Sequence, residues 1–252
     1  MKSRVIVASS KQMWINRAVD LIVESANQAI RERGRFSLVL SGGSTPQPVY
    51  QALALPHNLK RIILSRTHIF FGDERCVSPG DPQSNYRMVK LALLENAPIP
   101  AANIHRMRGE LRPPAAAADY QKQIEEYFEG QEQRFDLVLL GLGTDGHTAS
   151  LFPGTKALEE KHAWVAANQL EAPLQSNHVP AQQAWRITLT YPALSTARRM
   201  VFLVRGEGKQ EIIGKIFDPE GYDPQIPAAK IAENHPDQTW VLDKSAGRKL
   251  TI

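Results

Sequence analysis

The sequence predicts an α/β fold: a largely parallel sheet covered by helices on both faces. Three observations predict it. Short apolar, branched runs of strand length recur along the chain. Segments with apolar residues three and four apart separate them. Glycine-rich polar clusters follow directly on several runs, as at the carboxyl ends of strands in an open α/β sheet, where ligands bind. No repeat, low-complexity tract or linker breaks the alternation, so residues 1–252 are read as one domain.

Arg4 to Ala8 reads as the first strand. Trp14, Ala18, Leu21, Ile22, Ala26, Ala29 and Ile30 share one helical face, which predicts a helix from Lys11 to Arg33 ended by Gly34. Phe36 to Leu40 is a second strand. Ser41-Gly42-Gly43-Ser44-Thr45-Pro46 then leads into a helix reaching Leu53, with Thr45 as N-cap and Pro46 in the first turn. Thr67 to Phe71 is a third strand. Ser84 caps a helix carrying Met88, Val89 and Leu91 to Leu94, and Asn103 to Met107 is a weak strand. A helix runs from Pro113 to Phe128, followed by a strand over Phe135 to Leu140. Strands are expected at Trp164 to Ala167, Trp185 to Thr190, Arg199 to Val204 and Thr239 to Asp243. Short helices are expected from Tyr191, over Gln210 to Phe217, and after Pro227. Residues 172–182 read as a loop, with His178 an exposed side chain.

Composition narrows the function classes. Apolar residues make up 42% and charged residues 22%, an ordinary soluble balance. The net charge of +4 comes from scattered Lys and Arg. A nucleic-acid footprint needs a clustered basic face, so none is expected, whereas a small anionic substrate suits the balance. The single cysteine, Cys76, excludes an internal disulfide and a cysteine metal cage. Neither a signal peptide nor a membrane span is recognised, and a cytoplasmic location is expected.

The chemistry concentrates at four strand ends. The densest is Gly141-Leu142-Gly143-Thr144-Asp145-Gly146-His147, where an imidazole near neutrality can take a proton from water and return it to a leaving group. Asp145, two residues away, can orient the ring. A tight turn in which His147 caps a backbone group fits these residues equally well. The Ser41 to Thr45 loop offers glycine-flanked amides at a helix start, an anion site or a bare turn. Asp73, Glu74 and Arg75 combine carboxylates able to hold Arg75 or meet a substrate hydroxyl with a guanidinium able to clamp a phosphate. A self-paired, solvated cluster is the alternative. Lys209 follows a strand end at a helix start, where its ammonium can meet a phosphate or only water. Asn85, Gly146 and Arg186 are further candidates for substrate contact.

These stretches, in this order, resemble the 6-phosphogluconolactonases, relatives of the glucosamine-6-phosphate deaminases. The resemblance rests on SGGSTP (41–46), FGDERCV (71–77) with SNYR (84–87), LGLGTDGHTASLFPG (140–154), RITLTYPAL (186–194), GEGK (206–209) and PQIPAAKI (224–231). The first motif is shared with the deaminases; Asp-Glu-Arg and the unbroken DGHTASLFPG favour the lactonase side. Thr144 departs from the family, which more often has proline or another residue there, and bears on loop stiffness rather than chemistry. The resemblance implies a three-layer Rossmann-like domain similar to ribose-5-phosphate isomerase and the CoA transferases. It also implies hydrolysis of 6-phospho-D-glucono-1,5-lactone in the oxidative pentose phosphate pathway, without metal or organic cofactor. By that similarity His147 is the general base, and Ser41, Gly42, Gly43, Ser44, Thr45, Arg75 and Lys209 hold the phosphate.

Two other functions are consistent with parts of the pattern. An isomerase or deaminase of amino-sugar phosphates would use Asp73 as a base on carbon and His147 to help open the ring. A non-catalytic sugar-phosphate sensor would bind without turnover, but such proteins usually carry a DNA-binding segment, for which no spare length is seen.

Overall fold

The computed structural model describes residues 3–170, 184–218, 223–233 and 235–250. The predicted loop over 172–182, with His178, lies outside them. Six parallel strands form the main sheet, in the order β1 (Ser3–Ala8), β9 (Gln238–Asp243), β8 (Arg199–Val204), β5 (Leu137–Leu140), β2 (Phe36–Leu40) and β3 (Thr67–Phe71). A second, antiparallel sheet of three strands has the order β4 (Asp73–Arg75), β7 (Trp185–Leu189), β6 (Val165–Gln169).

Successive residues of a strand point to opposite faces, and the two cores follow that alternation. Leu38, Leu40, Ile69, Phe71, Leu137, Leu139, Val201, Leu203 and Val241 pack against α1 (Lys11–Arg33) and α2 (Gln47–Leu53). Short turns of helix, α3 (Pro56–Leu59) and α4 (Asn85–Val89), flank them. Val39, Phe70, Val138, Leu140, Met200, Phe202, Trp240 and Leu242 face the other side. There they meet α5 (Pro113–Phe128), α6 (Tyr191–Ser195), α7 (Gln210–Ile216) and α8 (Pro227–Glu233), together with Val165, Ile187 and Leu189 of the second sheet. Both faces being covered, β2 and β5 are buried along their whole length, which is why they read as unbroken apolar runs.

The element ends follow local chemistry. Ser10 caps α1 by accepting the Met13 N–H at 3.2 Å, and Gly34, at φ +76°, donates its N–H to the Ile30 carbonyl at 2.9 Å. Asp136 joins the starts of β2 and β5, accepting the Ser37 N–H and hydroxyl at 2.8 and 2.9 Å and pairing with Arg33 at 2.9 Å.

Several expectations are corrected. The α2 N-cap position is Pro46, not Thr45, and no side chain caps it. Asn103 to Met107 forms only a single bridge, Ile69 to Ile104, because the segment turns helical over Ala101–Asn103. Asp73 to Arg75 is a strand rather than a loop, and together with β6 and β7 builds the second sheet instead of extending the first.

At one edge of the main sheet, His68 Nδ1 and His105 Nε2 lie 3.3 Å apart. Burial pushes both imidazoles down to about 4, the Arg35 charge adding to the effect at His68 and His68 adding to it at His105. Unfolded, these rings take up protons near 6.5. Between about 6.5 and about 4 the unfolded chain therefore binds more protons, and stability is lost as the pH is lowered through this window. The urea midpoint is expected to drop across this window, with a shallower drop in His68→Phe. An unchanged slope in the variant would assign the dependence to other groups.

Candidate active site

The chain runs from β2 outward to β3, and from β5 the opposite way through β8 to β9. The direction reverses between β2 and β5, and at such a reversal the loops from adjacent strand ends diverge and leave a crevice. The Ser41 to Pro46 loop follows β2 and the Gly141 to Gly154 loop follows β5. The end of β3 runs into β4, and the end of β8 into Gly206 to Lys209. All four predicted clusters thus lie at carboxyl ends of the main sheet.

In the β5 loop, His147 Nδ1 lies 2.6 Å from Asp145 Oδ1, which also accepts the His147 N–H at 3.1 Å. A carboxylate accepts only, so the ring proton is on Nδ1 and the Nε2 lone pair is free of any hydrogen bond to a described residue. The ring lies against Phe152, centroids 4.2 Å apart. Burial alone would raise the Asp145 carboxyl; the hydrogen bonds from the His147 ring and amide outweigh it and hold the group below its usual range. Gly143 makes the pairing possible, since a Cβ there would come within 2.1 Å of His147 Nδ1 and 2.4 Å of Asp145 Oδ1. The loop uses some of its own amides. Gly143 donates to the His147 carbonyl at 2.8 Å and Gly146 to the Gly143 carbonyl at 3.2 Å. Gly146, at φ +83°, packs so tightly on Ile226 that it serves the loop's shape.

The Asp73, Glu74, Arg75 stretch is not the self-paired, solvated cluster that its composition allows. Glu74, 3% exposed, accepts hydrogen bonds from the amides of Arg75, Asn85 and Tyr86 and from the Ser84 hydroxyl. Burial raises its carboxyl, and those four donors oppose the rise. Among the described residues, neither Asp73 nor Glu74 ion-pairs with the Arg75 guanidinium, which donates to the Gln83 carbonyl. Asp73 is held on both oxygens: Asn85 Nδ2 donates to Oδ1 at 3.1 Å and the Ser150 hydroxyl to Oδ2 at 2.6 Å. Burial also raises the Cys76 thiol, to about 11, so it stays neutral and unreactive at neutral pH.

In the β2 loop, the Tyr50 hydroxyl accepts the Ser41 N–H at 3.0 Å and donates to the Ser41 carbonyl at 2.8 Å. Gly42 has to be glycine, because a Cβ would fall 1.9 Å from the Asn85 amide oxygen. Gly43 adopts φ +90°. The amides of Gly42, Gly43, Ser44 and Thr45 have no acceptor among the described residues, and the Ser41 hydroxyl is buried without a partner among them. Arg75 lies directly across from Arg186 in the β4–β7 pair. Burial lowers the Arg186 guanidinium and the Arg75 charge lowers it further, the mark of two cations crowded together. Burial likewise lowers Lys209, and the Asp145 charge opposes that.

The structure therefore places the expected loops at the carboxyl end of the main sheet and Asp73, Arg75 and Arg186 on the second sheet, while Asn85 turns into the protein, wedged between Gly42 and Asp73 and 2% exposed. Sequence reasoning missed Tyr50, Ser150 and Phe152. The last two stood in the quoted 140–154 motif, their spacing from His147 the one available signal. Two cavities of about 250 and 260 Å³ open at the opposite ends of the strands beside Arg33, Arg134 and Arg198, whose charges are ion-paired with Glu132 and Asp136. No group of three or more His, Cys, Asp or Glu among the described residues could hold a metal ion.

Fold and loops define an α/β protein with a histidine–carboxylate pair and basic groups at the carboxyl end of its main sheet. The model of the glucosamine-6-phosphate isomerases/6-phosphogluconolactonase family matches residues 9–240. The chain is 40% identical over 260 residues to a 6-phosphogluconolactonase of Synechocystis sp., covering 99% of each protein. It is 37% identical over 227 residues to one of Homo sapiens, covering 87% of this chain and 83% of that protein. A solved 6-phosphogluconolactonase from Trypanosoma cruzi superposes with a TM-score of 0.84 at 31% identity, covering 100% of this chain and 98% of that one. The chain belongs to the glucosamine-6-phosphate isomerases/6-phosphogluconolactonase family.

Gly143→Ala is expected to fold but to push the His147 ring away from Asp145. In proton NMR, the low-field Nδ1–H signal of the wild type should then be lost. Its retention would show that the pair moves as a unit.

Proposed function

We propose that this chain hydrolyses 6-phospho-D-glucono-1,5-lactone to 6-phospho-D-gluconate, a step of the oxidative pentose phosphate pathway. The observation that carries this reading is the Asp145–His147 pair in the crevice, in a chain 40% identical along its length to a 6-phosphogluconolactonase. A lactone is an activated ester, so water is nucleophile enough once deprotonated and aimed. His147 Nε2 takes a proton from water as the water oxygen bonds to the ring carbonyl carbon. Asp145 keeps the donor tautomer on Nδ1 and steadies the imidazolium that forms. The tetrahedral oxyanion meets backbone amides of the Gly141 to Gly146 loop other than those of Gly143 and Gly146, which are already used. The bond from carbonyl carbon to ring oxygen then breaks. The imidazolium returns its proton to that oxygen, and the new carboxylic acid ionises. Each step uses only water and these side chains, so the reaction calls for no metal or organic cofactor.

The phosphate anchors the other end of the substrate. The β2-loop amides that have no acceptor among the described residues, the crowded Arg75 and Arg186, and Lys209 supply the positive field. An anion between the arginines relieves their repulsion, and fixing the phosphate places the carbonyl beside His147. Asp73 accepts a sugar hydroxyl, and Asn85 supports it from behind. We read 1–252 as one catalytic domain working in the cytoplasm on a small sugar phosphate, without nucleic acid or membrane. No described helix is long and apolar enough to cross a membrane.

The test is the rate of acid release from freshly generated lactone, above spontaneous hydrolysis. His147→Ala is expected to lower kcat by about a hundredfold or more with KM little changed. Arg75→Ala is expected to raise KM by about tenfold with kcat largely kept. Wild-type activity in His147→Ala would discard the base, and an unchanged KM in Arg75→Ala would discard the clamp. Ammonia release from glucosamine 6-phosphate by an otherwise inactive wild type would move the chain to the isomerase branch.

A further inference from the structure

We propose that Ser150 is a positioning residue for this reaction, its hydroxyl holding the Asp73 carboxylate in register with the His147 loop. The inference rests on the lactonase reading. Ser150 comes three residues after His147, and a serine there invites reading as a nucleophile. The geometry points elsewhere. Ser150 is 1% exposed, closed off from water, and its hydroxyl donates to Asp73 Oδ2 at 2.6 Å. No hydrogen bond joins it to His147 among the described residues.

All the polar groups of Ser150 are engaged. Its N–H donates to the Thr188 hydroxyl at 3.1 Å, and its carbonyl accepts from Asn168 Nδ2 at 2.9 Å. Thr188 and Asn168 belong to β7 and β6, and Thr188 is the register partner of Asp73. The second sheet therefore delivers Asp73 and also seats the residue that holds it. Between His147 and Ser150 the chain passes through Ala149 at φ +48°, the one described non-glycine residue in the left-handed region. That conformation costs about 1 kcal/mol or more and persists where the surroundings enforce it. The Ser150 anchors are such surroundings.

Asp73 is thereby aimed. A carboxylate offers about four acceptor positions. Ser150 and Asn85 each occupy one, on opposite oxygens, and the others are left for a substrate hydroxyl. Without the serine, Oδ2 loses its charge-assisted bond and the carboxylate can rotate on the Asn85 contact alone. Phosphate affinity comes from other groups, so the effect belongs in kcat rather than KM.

The experiment is a double-mutant cycle on the full chain: wild type, Ser150→Ala, Asp73→Asn and the pair, with kcat, KM and the thermal midpoint measured for each. Ser150→Ala is expected to lower kcat by about tenfold with KM within about twofold. In the Asp73→Asn background the same change should cost nothing further. Ser150→Cys, close in shape with a weak donor, replaces Ser150→Ala if the latter does not fold. Losses in kcat that multiply independently, or a lower thermal midpoint at wild-type kcat, would overturn the role. An inactive wild type would instead remove the lactonase reading, and this inference with it.

Discussion

The site depends on one constraint: strand order reverses between β2 and β5, two buried strands that both end inside the protein. Backbone groups just past such an end have lost their ladder and must find partners. Two buried tyrosines supply them by the same device. Tyr50 bridges the N–H and carbonyl of Ser41, after β2, and Tyr120 does so for Phe71, at the end of β3, at 2.8 and 3.1 Å. Burial raises both phenols far above the ordinary value, so they stay neutral and can both donate and accept. With the strand ends held this way, the loops beyond them are free to serve a ligand.

Charge in the crevice is divided by role. Glu74 is buried and saturated with donors, so its work is to fix the start of α4 and with it Asn85. Asp73 is held on two sides, and Asp145 holds an imidazole. Arg75 and Arg186 face one another across two strands, and Lys209 is partly desolvated. Cations placed this close repel one another, and in the proposed reaction a phosphate between them would relieve that repulsion.

Much of this was legible in the sequence wherever the signal is local. The helix over Lys11 to Arg33 has a regular apolar face and a closing glycine, and it forms over that range. Phe36 to Leu40, Thr67 to Phe71 and Arg199 to Val204 are apolar runs that become strands at the expected residues. The second sheet was not legible. A three-residue strand of Asp, Glu and Arg has no alternation to read, and its partner lies more than a hundred residues away. Asn85 was read as lying at a helix start or reaching into the cleft as a candidate for substrate contact; it opens the helix, and its side chain is drawn inward onto buried Asp73. Ser150 was in plain view but without a role, since its partner Asp73 is brought to it only by tertiary structure.

The central claim is that Asp145 holds the His147 proton on Nδ1 and leaves Nε2 as the base. The nitrogen-15 shifts of the His147 ring in the neutral state test it most directly. A protonated Nδ1 with an unprotonated Nε2, reverting toward the usual tautomer mixture in Asp145→Asn, is the expected result. A proton residing on Nε2 in the wild type would contradict it, because the nitrogen assigned to deprotonate water would already be occupied.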